Sequence, residues 1–126
     1  MFTWIKGNTN TLILTLYPSN ITLNSSAASY FKDTRWCMVG IDHDSMRLAI
    51  KPVTKRELDL GLVDQSQLHK ISIGNGYGRI TNKSLMEEIA LLFHESLEGQ
   101  KMEAYYCEED SMLIANFLTD EHVYEG

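Results

Sequence analysis

The sequence predicts an α+β fold, two pseudo-repeated strand–helix–hairpin units interlocked in one barrel-like β-sheet. Three observations lead there. Short β-branched runs are broken by turn residues, a helix-start signal follows such a run in each half, and the same anchor residues recur in the same order. Ile21-Thr22 with Ser25 returns as Ile80-Thr81 with Ser84, and Asp44-Ser45-Met46 with Ala49 returns as Asp110-Ser111-Met112 with Ala115, at offsets of 59 and 66. A longer helix and loop in the second half absorbs the difference. The 126 residues give room for one core, so a single domain over 1–126 is expected, with halves at about 11–53 and 70–118 joined by a linker at 54–69.

In the first half, residues 11–16 are β-branched and apolar and suit a strand. Tyr17-Pro18-Ser19-Asn20 reads as a turn, because proline donates nothing to a central ladder. Ile21-Thr22-Leu23 alternates as a short strand, and Asn24 is placed to cap a helix over 25–32 that buries Ala27, Ala28 and Phe31. Residues 35–42 and 46–53 form a hairpin around His43-Asp44-Ser45. Thr54-x-x-Glu57 and Gly61 then bracket a short helical turn in the linker.

The second half repeats the order. Residues 70–73 form a strand, 74–78 a glycine-rich turn, and Arg79-Ile80-Thr81 a short strand. The helix that follows starts at Asn82 or at the capping box Ser84-x-x-Glu87. It carries an apolar stripe of Leu85, Ile89, Leu92 and Phe93, leaves Glu87, Glu88 and Glu95 exposed, and ends at Gly99. A second hairpin joins 101–107 to 112–118 around Glu108-Glu109-Asp110.

Net charge is −6, but unevenly spread: ten Lys/Arg against six Asp/Glu through Lys83, then one Lys against eleven Asp/Glu. Such a split points to a partner chosen electrostatically, or to an acidic solvated face. Cys37 and Cys107 make no disulfide framework and belong to no Cys-x-x-Cys. The opening Met1-Phe2-Thr3-Trp4-Ile5-Lys6 does not read as a leader, and no apolar run approaches the roughly 20 residues of a membrane span. A cytoplasmic protein without membrane association is expected.

Catalytic signals are weak. Gly74-x-Gly76-x-Gly78 has Arg79 where a dinucleotide fingerprint needs its third glycine, so a plain turn is the favoured reading. Asp42-His43-Asp44 could ligate a cation, yet polar residues at a hairpin tip need no ligand. His69, His94 and His122 have no nucleophile at telling spacing. No catalytic residue, metal or cofactor is expected, and the Asn-x-Ser/Thr sequons read as turns and caps.

The segment Gly78-Arg79-Ile80-Thr81-Asn82-Lys83-Ser84-Leu85 resembles the opening of the AbrB/MraZ-like swapped-hairpin family, in which a short strand turns into a helix and a hairpin follows. Ile21-Thr22-Leu23-Asn24 resembles the same opening, and two such units in one chain are similar to the tandem arrangement of the MraZ-like branch. The resemblance implies the interlocked fold and, by analogy, DNA binding.

Separately from it, Lys51, Lys55, Arg56, Lys70, Arg79 and Lys83 gather around the linker and the second opening. Of these, Lys51, Lys55, Arg56, Arg79 and Lys83 are the expected nucleic-acid contacts if they share a face; scattered surface charge is the alternative. The functional expectation is a non-enzymatic regulatory or binding protein. The rivals are a protein-interaction or self-associating module and a small-ligand-binding protein.

Overall fold

The computed structural model describes residues 1–3 and 11–116. The elements run β1 (Leu12–Leu16), β2 (Asn20–Asn24), α1 (Ser25–Ala28), β3 (Trp36–Asp42), β4 (Arg47–Val53), α2 (Lys55–Asp59), β5 (Leu68–Lys70), β6 (Ser72–Gly74), β7 (Tyr77–Thr81), α3 (Lys83–Phe93), β8 (Gln100–Cys107) and β9 (Met112–Asn116). All strands pair antiparallel in one sheet, in the order β5-β3-β4-β9-β8-β1-β2-β7-β6. The two end strands are neighbours in the chain. Residues 68–74 form one extended segment whose first part pairs with β3 and whose second part pairs with β7. Ile71, between the two parts, is buried and donates its N–H to the Arg35 carbonyl at 3.0 Å. The sheet therefore curls into a nearly closed barrel, which removes most of its free edge.

Alternation along each strand assigns the two faces. Leu12, Leu14 and Leu16 on β1, Ile21 and Leu23 on β2, Leu48 and Ile50 on β4, Ile80 on β7 and Leu113 and Ala115 on β9 point inward and are buried. They form one cluster with Phe31 and with Leu85, Met86, Ile89 and Phe93 of α3. The molecule is largely β, a coarser result than the mixed α+β expectation. At the end of the first helix Ser29 Oγ donates back to the Ser26 carbonyl at 2.6 Å. After four residues the chain tightens into a 3₁₀ turn, Ser29–Phe31.

The capping expectations hold. Asn24 Oδ1 accepts from the Ala27 N–H at 3.1 Å, Thr54 and Glu57 form a reciprocal box, and Asn82 rather than Ser84 caps α3 through the Leu85 N–H at 3.0 Å. Asn24 also ties down the start of β1, accepting from Ile13 N–H at 3.1 Å and donating to the Thr11 carbonyl at 2.8 Å.

Three details differ from the sequence expectation. Helix α3 stops at Phe93, with His94 in the left-handed region at φ 56, well before Gly99. The chain turns early because Leu97 must return to the core, where it is buried; Gly99, at φ 98, instead donates to the Leu16 carbonyl at 2.7 Å and leads into β8. Leu92 is half-buried, and Met86 takes the core position in its stead. Finally, the match of Ala49 to Ala115 is one residue out of register, since Ala49 faces outward while Ala115 is buried inside. The hairpin turns themselves align at Met46 and Ser111, both at φ 53. Phe117 and Leu118, expected to end the last strand, and His122 lie outside the described residues.

Candidate nucleic-acid interface

The strand registers fix which outward side chains are neighbours. Trp36 on β3 lies directly across from Lys70 on β5, and Ser72 on β6 directly across from Arg79 on β7. Lys70 and Ser72 are two residues apart on the closing segment and point the same way. One outward patch thus carries Trp36, Lys70, Ser72 and Arg79, with Thr22 of β2 opposite Arg79 on the far side. On its other side Trp36 faces buried Val53 of β4, which further along presents Lys51, Ala49 and Arg47 outward, opposite Met38, Gly40 and Asp42.

Charge on this face is one-sided. The only acid on the outward positions of β4, β3, β5, β6, β7 and β2, among the described residues, is Asp42, and it is paired with Arg47 at 3.2 Å. Hydrogen bonds from Ser45 and then Arg47 hold the Asp42 carboxyl down at about 2. The strands that carry Lys70 and Arg79 thus hold no acid among the described residues. The Arg79 guanidinium lies 5.4 Å from the centre of the Tyr77 ring. That ring rests on Gly74, where a Cβ would come within 2.8 Å of it, so a glycine there gives the arginine its aromatic support.

The five residues expected from sequence are not all brought together. Arg79 is in the patch. Lys51 is on the outer surface too, but its ammonium donates to the Asp110 carbonyl at 2.8 Å and its charge helps to lower the Glu57 pKa, after hydrogen bonds from Thr54. Lys55 and Arg56 sit exposed on the five-residue helix α2, beyond the end of β4. Lys83 opens α3 near Pro18 and Leu97, away from the patch. Trp36 was not singled out by the sequence reading, and Lys70, noted in the basic cluster, was not among the five. Their alternation with buried Cys37 and Ile71 marks both as outward-facing, but only the β3–β5 register makes them neighbours.

Other candidate sites resolve into structure. Asp42 Oδ1 accepts from the Asp44 N–H at 3.1 Å, so the hairpin tip is organised by its own hydrogen bonds, and no group of potential metal ligands occurs among the described residues. Gly76 adopts φ 81 in the turn between β6 and β7, while Gly78 is buried beneath Ile73 and Ala28. Burial pushes the Cys37 thiol up to about 12. No helix among the described residues is long and apolar enough to cross a membrane.

A second feature is a cleft of about 540 Å³ between α3 and the edge of β3. Strand β3 pairs with β5 only through Met38 but with β4 through Asp42, leaving its far half with one ladder among the described residues. His69 borders this cleft. Asn82 uses its carbonyl oxygen to cap α3, so its amide nitrogen faces His69 Nδ1 at 3.2 Å and donates to it. Desolvation lowers the His69 pKa from 6.5, against the opposing charge of Glu88. Above 6.5 the ring is neutral in both folded and unfolded chains. Below it the unfolded chain takes up the proton first, so stability should fall as pH drops from 6.5 toward the lower folded value. Across this window the urea midpoint of the wild type should fall relative to that of His69→Gln as pH drops; parallel curves would show that His69 titrates alike in both states.

Fold and surface together define a largely β, barrel-like protein with a cation-and-tryptophan patch around its closing segment. The chain matches no protein-family model, and comparisons with curated proteins and with solved structures find no match.

Proposed function

We propose that this is a non-enzymatic regulatory protein that binds nucleic acid, built from two interlocked units of the AbrB/MraZ-like swapped-hairpin kind. The observation carrying the functional part is the one-sided outer face, where Lys70 and Arg79 have no neighbouring acid on the same strands. Phosphate contacts need such cations unneutralised, because affinity comes from releasing counterions condensed on the nucleic acid.

The two-unit reading is supported by the pairing scheme. Exchanging β1, β2, β3 and β4 for the closing segment, β7, β8 and β9 maps β1·β2 onto β6·β7, β3·β4 onto β8·β9, and β1·β8 onto β5·β3. The remaining pairs, β2·β7 and β4·β9, map onto themselves, about Ile21 opposite Ile80 and Ala49 opposite Ile114. A pseudo-dyad through those two pairs accounts for every ladder. Asn24 and Asn82 also play the same part, each capping a helix while its amide donates toward the first strand of its unit.

Anisotropy titrations against a random-sequence nucleic-acid pool test the function. Binding should weaken with salt at a log–log slope of roughly −0.9 per phosphate contacted on duplex, or −0.7 on single strand. Replacing Arg79 with Ala should make that slope shallower by about one contact and weaken binding alike on all sequences. Absence of binding at low salt would remove this reading. The far half of the β3 edge, unpaired among the described residues, and its cleft would then favour the alternative of a protein-interaction module that accepts an added strand.

A further inference from the structure

We infer that the face around β5 and β6 binds single-stranded rather than double-stranded nucleic acid, with Trp36 as a base-stacking platform and Lys70 and Arg79 as phosphate contacts. The inference rests on the functional reading above and narrows its ligand. Three features of the molecule lead to it.

The first is the identity of the side chains. Trp36 keeps 38% of its surface exposed on a strand position directly opposite Lys70. An exposed indole beside a cation with no ion-pair partner among the described residues matches what a single strand offers, a free base face next to a phosphate. In a duplex, base faces are stacked away from any side chain. Tyr77, 43% exposed, rests against Gly74 and carries the Arg79 guanidinium 5.4 Å from its ring centre, which supports the cation on the same face.

The second is shape. The patch crosses the outside of a curled sheet, stepping from β3 through the closing segment to β7, with successive strands about 4.8 Å apart. A convex surface meets a stiff duplex, of persistence length about 50 nm, only along a narrow line. A flexible single strand can follow the curvature and reach Trp36, Lys70 and Arg79 in turn.

The third is the lack of a usable groove reader. Among the described residues α3 is the one helix longer than five residues, and its buried face plugs the barrel. Its exposed face carries Glu87, Glu88 and Leu91, with exposed Glu95 just past its end, and phosphates would repel these carboxylates from a major groove. The sheet face remains, and stacking on a sheet is the mode by which single strands are held.

The test is fluorescence anisotropy of the full chain with one mixed-sequence oligonucleotide in three forms: single-stranded DNA, the same sequence as RNA, and the DNA duplex. A single strand is expected to bind tighter than the duplex at low salt, and the tighter of DNA and RNA identifies the source of the ligand. Trp36→Ala should weaken single-strand binding roughly 5- to 160-fold, the range for loss of one stacked base, and Trp36→Tyr should restore most of it. Lys70→Ala and Arg79→Ala should each reduce the salt slope by about 0.7. Urea midpoints of each variant separate lost binding from lost folding, with Glu95→Gln, just past the end of α3, as the unaffected control. If the duplex binds as tightly as the single strands, or folded Trp36→Ala binds unchanged, the single-strand inference is overturned and the broader reading survives. If no form binds at low salt, both fall.

Discussion

Replacing Phe31 with alanine is expected to cost about 3–5 kcal/mol of folding stability, the largest effect of any single truncation considered. Phe31 is fully buried, yet it sits in a 3₁₀ turn at the end of a four-residue helix with almost no stability of its own. Besides Phe31, this segment buries only Ala27 and Ala28, so the phenyl ring is its main anchor in the core. Its loss leaves a cavity that the β-branched and leucine side chains of a closed barrel cannot easily collapse to fill. Urea unfolding monitored by circular dichroism should show a lower midpoint at unchanged slope. Hydrogen exchange should show lost protection concentrated in residues 25–31. A loss below about 1 kcal/mol would mean that the first helix is held by its caps rather than by its ring.

Ile89→Ala is expected to destabilise by about 2–5 kcal/mol. Ile89 is fully buried in the middle of α3, between Leu85 and Met86 on one side and Phe93 on the other. The helix has no acid in its first turn and no base in its last, so burial of this face, more than helix-end electrostatics, keeps it in place. Leu91, 74% exposed on the opposite face, is the matched control, and its truncation should stay within about 0.5 kcal/mol. Equal effects at the two positions would show that α3 does not plug the barrel.

These two residues illustrate what the chain states locally. Phe31 and Ile89 were legible as core because helical spacing puts them on the same face as Ala27 and Ala28, or Leu85 and Phe93. Asn24, Asn82 and the Thr54–Glu57 box were legible because a cap needs only a side chain and a backbone N–H within three residues. The end of α3 was not legible. Gly99 is the better left-handed residue, but the need to bury Leu97 made His94 adopt that conformation instead. The Asp-Ser-Met match failed by one residue for a related reason: composition at a hairpin tip does not say which strand residue turns inward.

The candidate interface divides along the same line. By itself the sequence placed Trp36, Lys70 and Arg79 on strands; that they point away from the core follows from the burial of their neighbours Cys37, Ile71, Gly78 and Ile80. Alternation is a property of one strand and carries no information about its neighbour. Only the tertiary structure decided that residues 68–74 join both ends of the sheet, pairing with β3 and then with β7. That closure sets Trp36 against Lys70 and Arg79 on one face while leaving Lys55, Arg56 and Lys83 elsewhere. Strand partners are chosen by the burial of a whole barrel's inner face at once, a sum over residues far apart in the chain that no local window contains.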